Sequence, residues 1–255
     1  MEEMEALREF LDYKATAYNT PSFIENDPVA IPHRYSIKED IEIAGFLVAT
    51  ISWGNRKTIV KNGHHMMDLL GNSPYDFVMS HKASDLKRLE GFVHRTYNST
   101  DYACFVKCLK QIYLKNGGIE SIFCKHATAD SLQPAIHHFK RAFFDLAHPQ
   151  RSTKHISDPF KGSAAKKINM YLRWMVRKDK CGVDFGIWES ISQEILSCPL
   201  DVHSGNVARK LGLLSRTQND AASVTELDMS LRLLDEKDPV KYDFALFGLG
   251  IYENF

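Results

Sequence analysis

The chain has 255 residues, of which 44% are hydrophobic, 25% charged and 11% aromatic, the balance of a globular protein large enough to bury a core. Thirty-two Lys plus Arg stand against 32 Asp plus Glu, which excludes a global basic field drawing in polyanions regardless of orientation, so any nucleic-acid surface must be local. No apolar run approaches the ~18 residues of a membrane span, and the acidic opening lacks the basic-then-apolar order of a secretory leader. A cytoplasmic protein with no membrane role is expected.

Periodicity predicts an amphipathic helix over Met1 to Tyr18, then a loop rich in Asn, Pro and acids from Asn19 to Pro32. Ser36 with Glu39 has the spacing of a capping box, in which hydroxyl and carboxylate satisfy the first orphan amides of a helix. That helix runs over Asp40 to Ser52 with Ile43, Phe46, Leu47, Thr50 and Ile51 on one broad face. A break at Trp53, Gly54 and Asn55 separates it from a second helix ending at Leu70. Helical spacing recurs over Ser84 to Leu89, Tyr102 to Asn116, Ser121 to Phe123, Ser131 to Leu146, Ala164 to Lys178, Gly186 to Leu196, Val202 to Leu211, Ser223 to Leu234 and Val240 to Gly248. Strand-like alternation is nearly absent, and the chain is expected to be all-α. The polar, Pro-containing stretch from Ala147 to Gly162 is the candidate hinge.

Five cysteines, Cys104, Cys108, Cys124, Cys181 and Cys198, form no disulfide framework. Cys104 and Cys108 alone fall short of the four ligands of a structural zinc or iron–sulfur centre. Buried thiols, no metal and no cofactor are expected. Between His137 and Lys180 stand eleven Lys or Arg against three Asp, an excess of eight positive charges. Such a segment suits phosphate contacts that orient a protein on DNA, and equally a solvated helix surface.

Two stretches add to that charge. Asp158 to Leu172 carries Pro159, Gly162, Ser163 and Ala164 ahead of the adjacent Lys166 and Lys167. Later, Pro199, Leu200, Asp201, Val202 and His203 lead into Val207 to Leu213, which contains Arg209 and Gly212. This order resembles the helix-hairpin-helix Gly/Pro-Asp superfamily of DNA glycosylases, where a Gly-rich hairpin precedes a helix opening with Lys, and an Asp-containing segment follows. The chain also resembles a bacterial family of similar length without an assigned activity, through the run Leu172 to Arg177.

The glycosylase resemblance implies one unit over residues 1–255 with two helical subdomains, about 36–146 and 160–255, a helix-hairpin-helix and a cleft between the subdomains. It implies Lys166 as amine nucleophile and Asp201 as catalytic carboxylate. Gly162, Ser163, Ala164, Lys167, Asn55 and Arg173 are implied on the DNA, and Trp174 and Trp188 as walls of a base pocket. Three departures accompany it. Ala164 replaces a usual glycine, Lys166 and Asp201 are 35 residues apart with Asp179 to Glu194 as an apparent insertion, and no Gln stands near Asn55 or Trp53 to fill a vacated base stack.

The activity so implied is excision of a damaged base, an oxidised purine being the expected lesion, from double-stranded DNA by a monomer, either by base release alone or also with strand cleavage by abasic-site lyase chemistry. A carboxylate under the sugar stabilises the cationic transition state, and an amine attacks the anomeric carbon to form an imine. Each residue also has a plainer reading: Asp201 caps the helix from Val202, Lys166 is a solvated or phosphate-binding lysine, and a one-residue shift exchanges it with Lys167. The rival function is a non-catalytic nucleic-acid-binding module on the same fold.

Overall fold

The computed structural model describes residues 2–255, and helix dominates it. In chain order the α-helices are α1 Glu2–Tyr18, α2 Pro21–Ile24, α3 Lys38–Ile51, α4 Arg56–Leu69, α5 Pro74–Ser80, α6 Ser99–Asn116, α7 Ile119–His126, α8 Gln133–Phe143, α9 Lys166–Val176, α10 Val202–Lys210, α11 Ala221–Leu234 and α12 Tyr242–Tyr252. The strands among the described residues are an antiparallel pair of two residues each, β1 Val93–His94 and β2 Tyr97–Asn98. The protein is all-α, and none of the described helices is long and apolar enough to cross a membrane. The expected start of the first helix at Met1 lies outside the described residues.

Several expectations need correction. The cap of α3 is Ile37, without a side-chain bond, so Ser36 and Glu39 form no capping box. Every residue from Asp40 to Ile51 is buried, and packing on all sides holds this helix where a polar cap was expected to. Residues Gly186 to Leu196 form no α-helix, only the 3-10 turn Gln193–Ile195. The amides of Phe185 and Trp188 there donate to the carbonyls of Trp174 and Met175 at the end of α9 (2.8 and 2.9 Å), which removes them from any local helical ladder. The loop between α1 and α3 holds α2 and two 3-10 turns. Further 3-10 turns, Gln150–His155 and Pro159–Lys161, interrupt the expected hinge.

The chain divides into two compact units. One comprises residues 24–126 and 137–156, the other the N-terminal segment up to Phe23 with residues 127–136 and 157–255. In the first, Phe46 of α3 is fully buried against Phe105, Phe139 and Phe143, with ring centroids 5.8, 5.4 and 5.3 Å away. Asp101, also fully buried, completes a capping box with Asn98 at the start of α6. The same carboxylate accepts from Ser152 Oγ (2.7 Å) and pairs with Arg151 (3.1 Å) and His155 (3.2 Å), so a buried charge is compensated on several sides, as burial demands. Cys104 and Cys108 lie buried nearby on α6 with their sulfurs 3.9 Å apart.

In the second unit, α12 is apolar along most of its length, packing against both α1 and α10. Its two glycines make that close approach possible. A Cβ at Gly248 would sit 2.1 Å from the Tyr18 ring of α1, and one at Gly250 would sit 3.1 Å from His203 Cβ of α10. Lys14 and Tyr18 of α1 both bond Glu253 at the end of α12. Gly248→Ala is therefore expected to destabilise the protein by about 1–3 kcal/mol, the usual cost of overpacking, read as a lowered urea midpoint with unchanged slope.

Candidate functional site

Lys166 and Asp201 come together within the second unit. Lys166 opens α9, and its Nζ lies 3.8 Å from Asp201 Oδ2; the side chains are 30% and 22% exposed. Asp201 is the N-cap of α10. Its Oδ1 accepts from the amides of His203 and Ser204 (2.9 and 3.0 Å), while Ser204 Oγ accepts from the Asp201 amide (2.9 Å). The cap and the lysine thus use different oxygens of one carboxylate, and the two readings of Asp201 do not compete for the same atom. Lys167, partly buried, has its amine pushed down to about 8 by burial and then by the neighbouring Lys166 charge.

The turn before Lys166 is built by left-handed residues at both ends. Gly162 has φ +82° with open space where a Cβ would stand, so the position favours glycine for backbone reasons alone. Ala165 is left-handed at φ +47° immediately before the helix, and the Ala164 carbonyl accepts from Asn169 Nδ2 (3.0 Å). Inside the turn, the amides of Gly162 and Ser163 donate to Pro159 and Asp158 carbonyls, and the Ala165 amide donates to Ser163 Oγ. The amides of Gly162, Ser163 and Ala165 are thus engaged within the turn. Of the lysines at this turn, Lys161 is exposed and Lys166 and Lys167 are partly buried.

Arg173 was expected on the DNA and is instead interior. Its side chain is 4% exposed, with Nε 3.1 Å from Asp184 and the guanidinium also paired with Asp243. Arg177, as deeply buried, pairs with Asp184, Asp179 and Asp238 at 3.0, 2.6 and 2.8 Å. Both guanidinium groups lie over the Phe244 ring, 4.3 and 5.5 Å from its centre. Two of the eleven charges of the basic segment are therefore spent internally, and the segment itself is shared between the units at Ile156 and Ser157. Trp174 and Trp188 are fully buried, and the ring of Trp188 meets Tyr171 edge-on at 5.5 Å. In this conformation both are core side chains.

Asn55 is exposed and caps α4 by accepting from Thr58 N (3.2 Å). In the same unit Trp53 is 53% exposed, with the Arg95 guanidinium 4.0 Å over its ring. His94 Nε2 donates to the Trp53 carbonyl (3.2 Å), and Asn62 Nδ2 donates to His94 Nδ1 (2.8 Å). The Trp53–Arg95 stack is consequently a supported surface feature.

Sequence reasoning missed Asp243. It is buried at the start of α12, bonded to Arg173 and within 3.8 Å of Cys198 Sγ. Burial raises its carboxyl to about 6 against the pull of Arg173; Asp201 adds to the rise, and Lys166 opposes it. An acid opening an otherwise apolar helix was the available signal. Among the described residues no group of three or more His, Cys, Asp or Glu is placed to hold a metal ion.

The profile of the family described as "Protein of unknown function (DUF2400)" matches residues 27–252. The chain belongs to this family. No profile of the helix-hairpin-helix Gly/Pro-Asp superfamily matches this DUF2400 chain, and its assignment to that superfamily is corrected accordingly: the motif order behind it is strong only over residues 160–213, whereas the DUF2400 match runs through most of the sequence. Neither the curated proteins nor the solved structures provide a match.

Two outcomes follow from the charges buried in this DUF2400 protein. Arg173→Ala leaves Asp184 and Asp243 short of a buried partner and is expected to cost about 3–5 kcal/mol in urea denaturation; a phosphate-contacting arginine would lower DNA affinity at unchanged stability. Asp228 of α11, buried, accepts from the Cys198 amide (2.9 Å), and burial raises its carboxyl to about 6. Since its folded pKa exceeds the unfolded one, its stabilising contribution is full below about pH 4 and is lost as pH rises through about 6. Asp228→Asn keeps an acceptor and removes the titration, so denaturation at a series of pH values should show a flatter decline across that window.

Proposed function

We propose that the protein is a DNA base-excision N-glycosylase, with abasic-site lyase activity, acting through Lys166 and Asp201. The observation that carries this reading is the amine held 3.8 Å from one oxygen of a carboxylate whose other oxygen is fixed by a helix cap. Such a carboxylate is oriented before substrate arrives, which is what electrostatic stabilisation of a developing positive sugar requires.

In the proposed reaction Lys166 gives up a proton, with Asp201 Oδ2 within reach to take it. The free amine then bonds to the anomeric carbon as the glycosidic bond breaks, and the base leaves with the bonding pair and takes the proton that Asp201 received, so that Asp201 is again a carboxylate as positive charge develops on the sugar. Opening of the sugar ring gives a protonated imine, from which loss of the neighbouring proton eliminates the 3′ phosphate. Extrusion of the base from the duplex costs about a few kcal/mol. An oxidised purine is the proposed lesion and damaged double-stranded DNA the partner. The lysines around the Pro159–Lys161 turn are proposed to take backbone phosphates.

A non-catalytic nucleic-acid-binding module is the second reading. It is favoured by the capping role of Asp201, which accounts for a carboxylate at this position without chemistry. Borohydride trapping separates the two. The protein is incubated with duplexes carrying oxidised, alkylated, deaminated or abasic sites, alongside Lys166→Gln, Lys167→Gln and Asp201→Asn. The expected result is a covalent adduct abolished by Lys166→Gln, with base release reduced at least ~100-fold by Asp201→Asn. An adduct lost only in Lys167→Gln moves the nucleophile by one residue; salt-sensitive binding without base release or adduct on any lesion supports the binding module.

A further inference from the structure

Thirty-five residues of sequence separate Lys166 from Asp201, and a third segment bonds to the backbone beside each of them. On the Asp201 side, Asn219 Nδ2 donates to the Asp201 carbonyl (2.8 Å), while Asn219 Oδ1 accepts from Arg209 NH2 (2.6 Å). Arg209, from the last turn of α10, also donates to the carbonyls of Arg216 and Gln218 (2.6 and 3.1 Å). One arginine thereby holds the segment 216–219 in place, with Asn219 directed at the residue that caps the same helix.

On the Lys166 side, the next two residues take over. Asp220 pairs with Ser163 as an isolated antiparallel bridge, and the Ala221 amide donates to the Gly162 carbonyl (3.1 Å). Asp220 is also the N-cap of α11, accepting from Ser223 N (2.9 Å), and its ion pair with Arg216 (2.7 Å) closes the loop on itself. The segment is therefore anchored on α11 as well as on the two sites it joins.

The seat for Asn219 is made by the absence of a side chain. Gly205 is helical and buried in α10, and a Cβ there would lie 2.8 Å from Asn219 Oδ1, 2.9 Å from Arg209 NH1 and 3.1 Å from Asn219 Nδ2. Those are the terminal side-chain atoms of a bonded pair, which a Cβ at that distance would push aside. Any larger residue at 205 displaces the amide.

We propose that Asn219 is a positioning residue for the Lys166–Asp201 pair, acting by gripping the Asp201 carbonyl within a strap that is bridged one residue later to the turn preceding Lys166. It resides on a loop because the two elements it joins, α9 and α10, are consecutive helices whose own connection, 177–201, is occupied elsewhere by the buried arginine network. The strap supplies the register that a short connection would otherwise supply.

This inference rests on Lys166 and Asp201 being the working pair, and its test does not depend on base excision. The protein is reductively methylated with 13C-formaldehyde, the Lys166 resonance is assigned with Lys166→Arg, and its chemical shift at one fixed pH is compared with and without Asp201→Asn. The comparison is repeated in Asn219→Ala, Asn219→Asp and Gly205→Ala backgrounds. Asn219→Asp keeps an acceptor for Arg209 and removes only the donor to Asp201; its added charge cancels in the difference taken within each background.

The expected result is a clear change in that chemical shift on Asp201→Asn in the otherwise native protein and less than half that change in all three backgrounds. A change of equal size in folded Asn219→Asp or Asn219→Ala overturns the proposal, as does the lack of any change in the native background. Loss of base excision in every protein with the coupling behaving as expected would defeat the glycosylase reading and leave the positioning role standing.

Discussion

The structure around the candidate site depends on burying two guanidinium groups. Arg173 and Arg177 lie one helical turn apart near the end of α9, and four carboxylates, Asp179, Asp184, Asp238 and Asp243, close on them. Isolated charges at this depth would be prohibitively costly. Once paired, they dictate where the acids must be: Asp184 pulls in the irregular segment after α9, Asp238 the turn before α12, and Asp243 the first turn of α12 itself. The far end of α9 is thereby moored, and the helix delivers Lys166 at its other end.

A second constraint is the economy of a single carboxylate. Asp201 holds α10 with one oxygen and faces Lys166 with the other. Helix capping is commonly treated as a stability device, worth about 1 kcal/mol, but here it also locks the side-chain rotamer. The acid near the amine cannot swing away without unmaking the start of a helix, which is a form of preorganisation obtained from ordinary secondary-structure chemistry.

The helical class and most long helices were legible because apolar spacing in α4, α6, α9 and α11 is a local signal. The proximity of Lys166 and Asp201 was anticipated only through a resemblance that the family membership does not sustain, although the geometry brings the two together. What stayed illegible was set by distant partners. Arg173 looks like its exposed neighbours in a basic run until Asp184 and Asp243, eleven and seventy residues away, claim it. Gly186 to Leu196 has helical spacing, yet its amides serve the carbonyls of α9. Asn219 has no motif; its function exists only once α10, the 216–221 loop and the Gly162 turn are assembled.

The seating of α12 between α1 and α10 has a kinetic consequence. Helix α1 is synthesised well before α12, whose glycine surface receives Tyr18; Tyr18 and its partner Glu253 are 235 residues apart. On the ribosome, α1 has no native partner of that kind until α12 has been translated. Contacts of such sequence separation slow folding, because loop-closure entropy must be overcome before they can form. The first seventeen-residue helix is thus an early, polar-faced element awaiting its complement. Completion of this unit waits for α12, a late locking step that ties assembly of the lysine–carboxylate pair to the seating of that helix between α1 and α10.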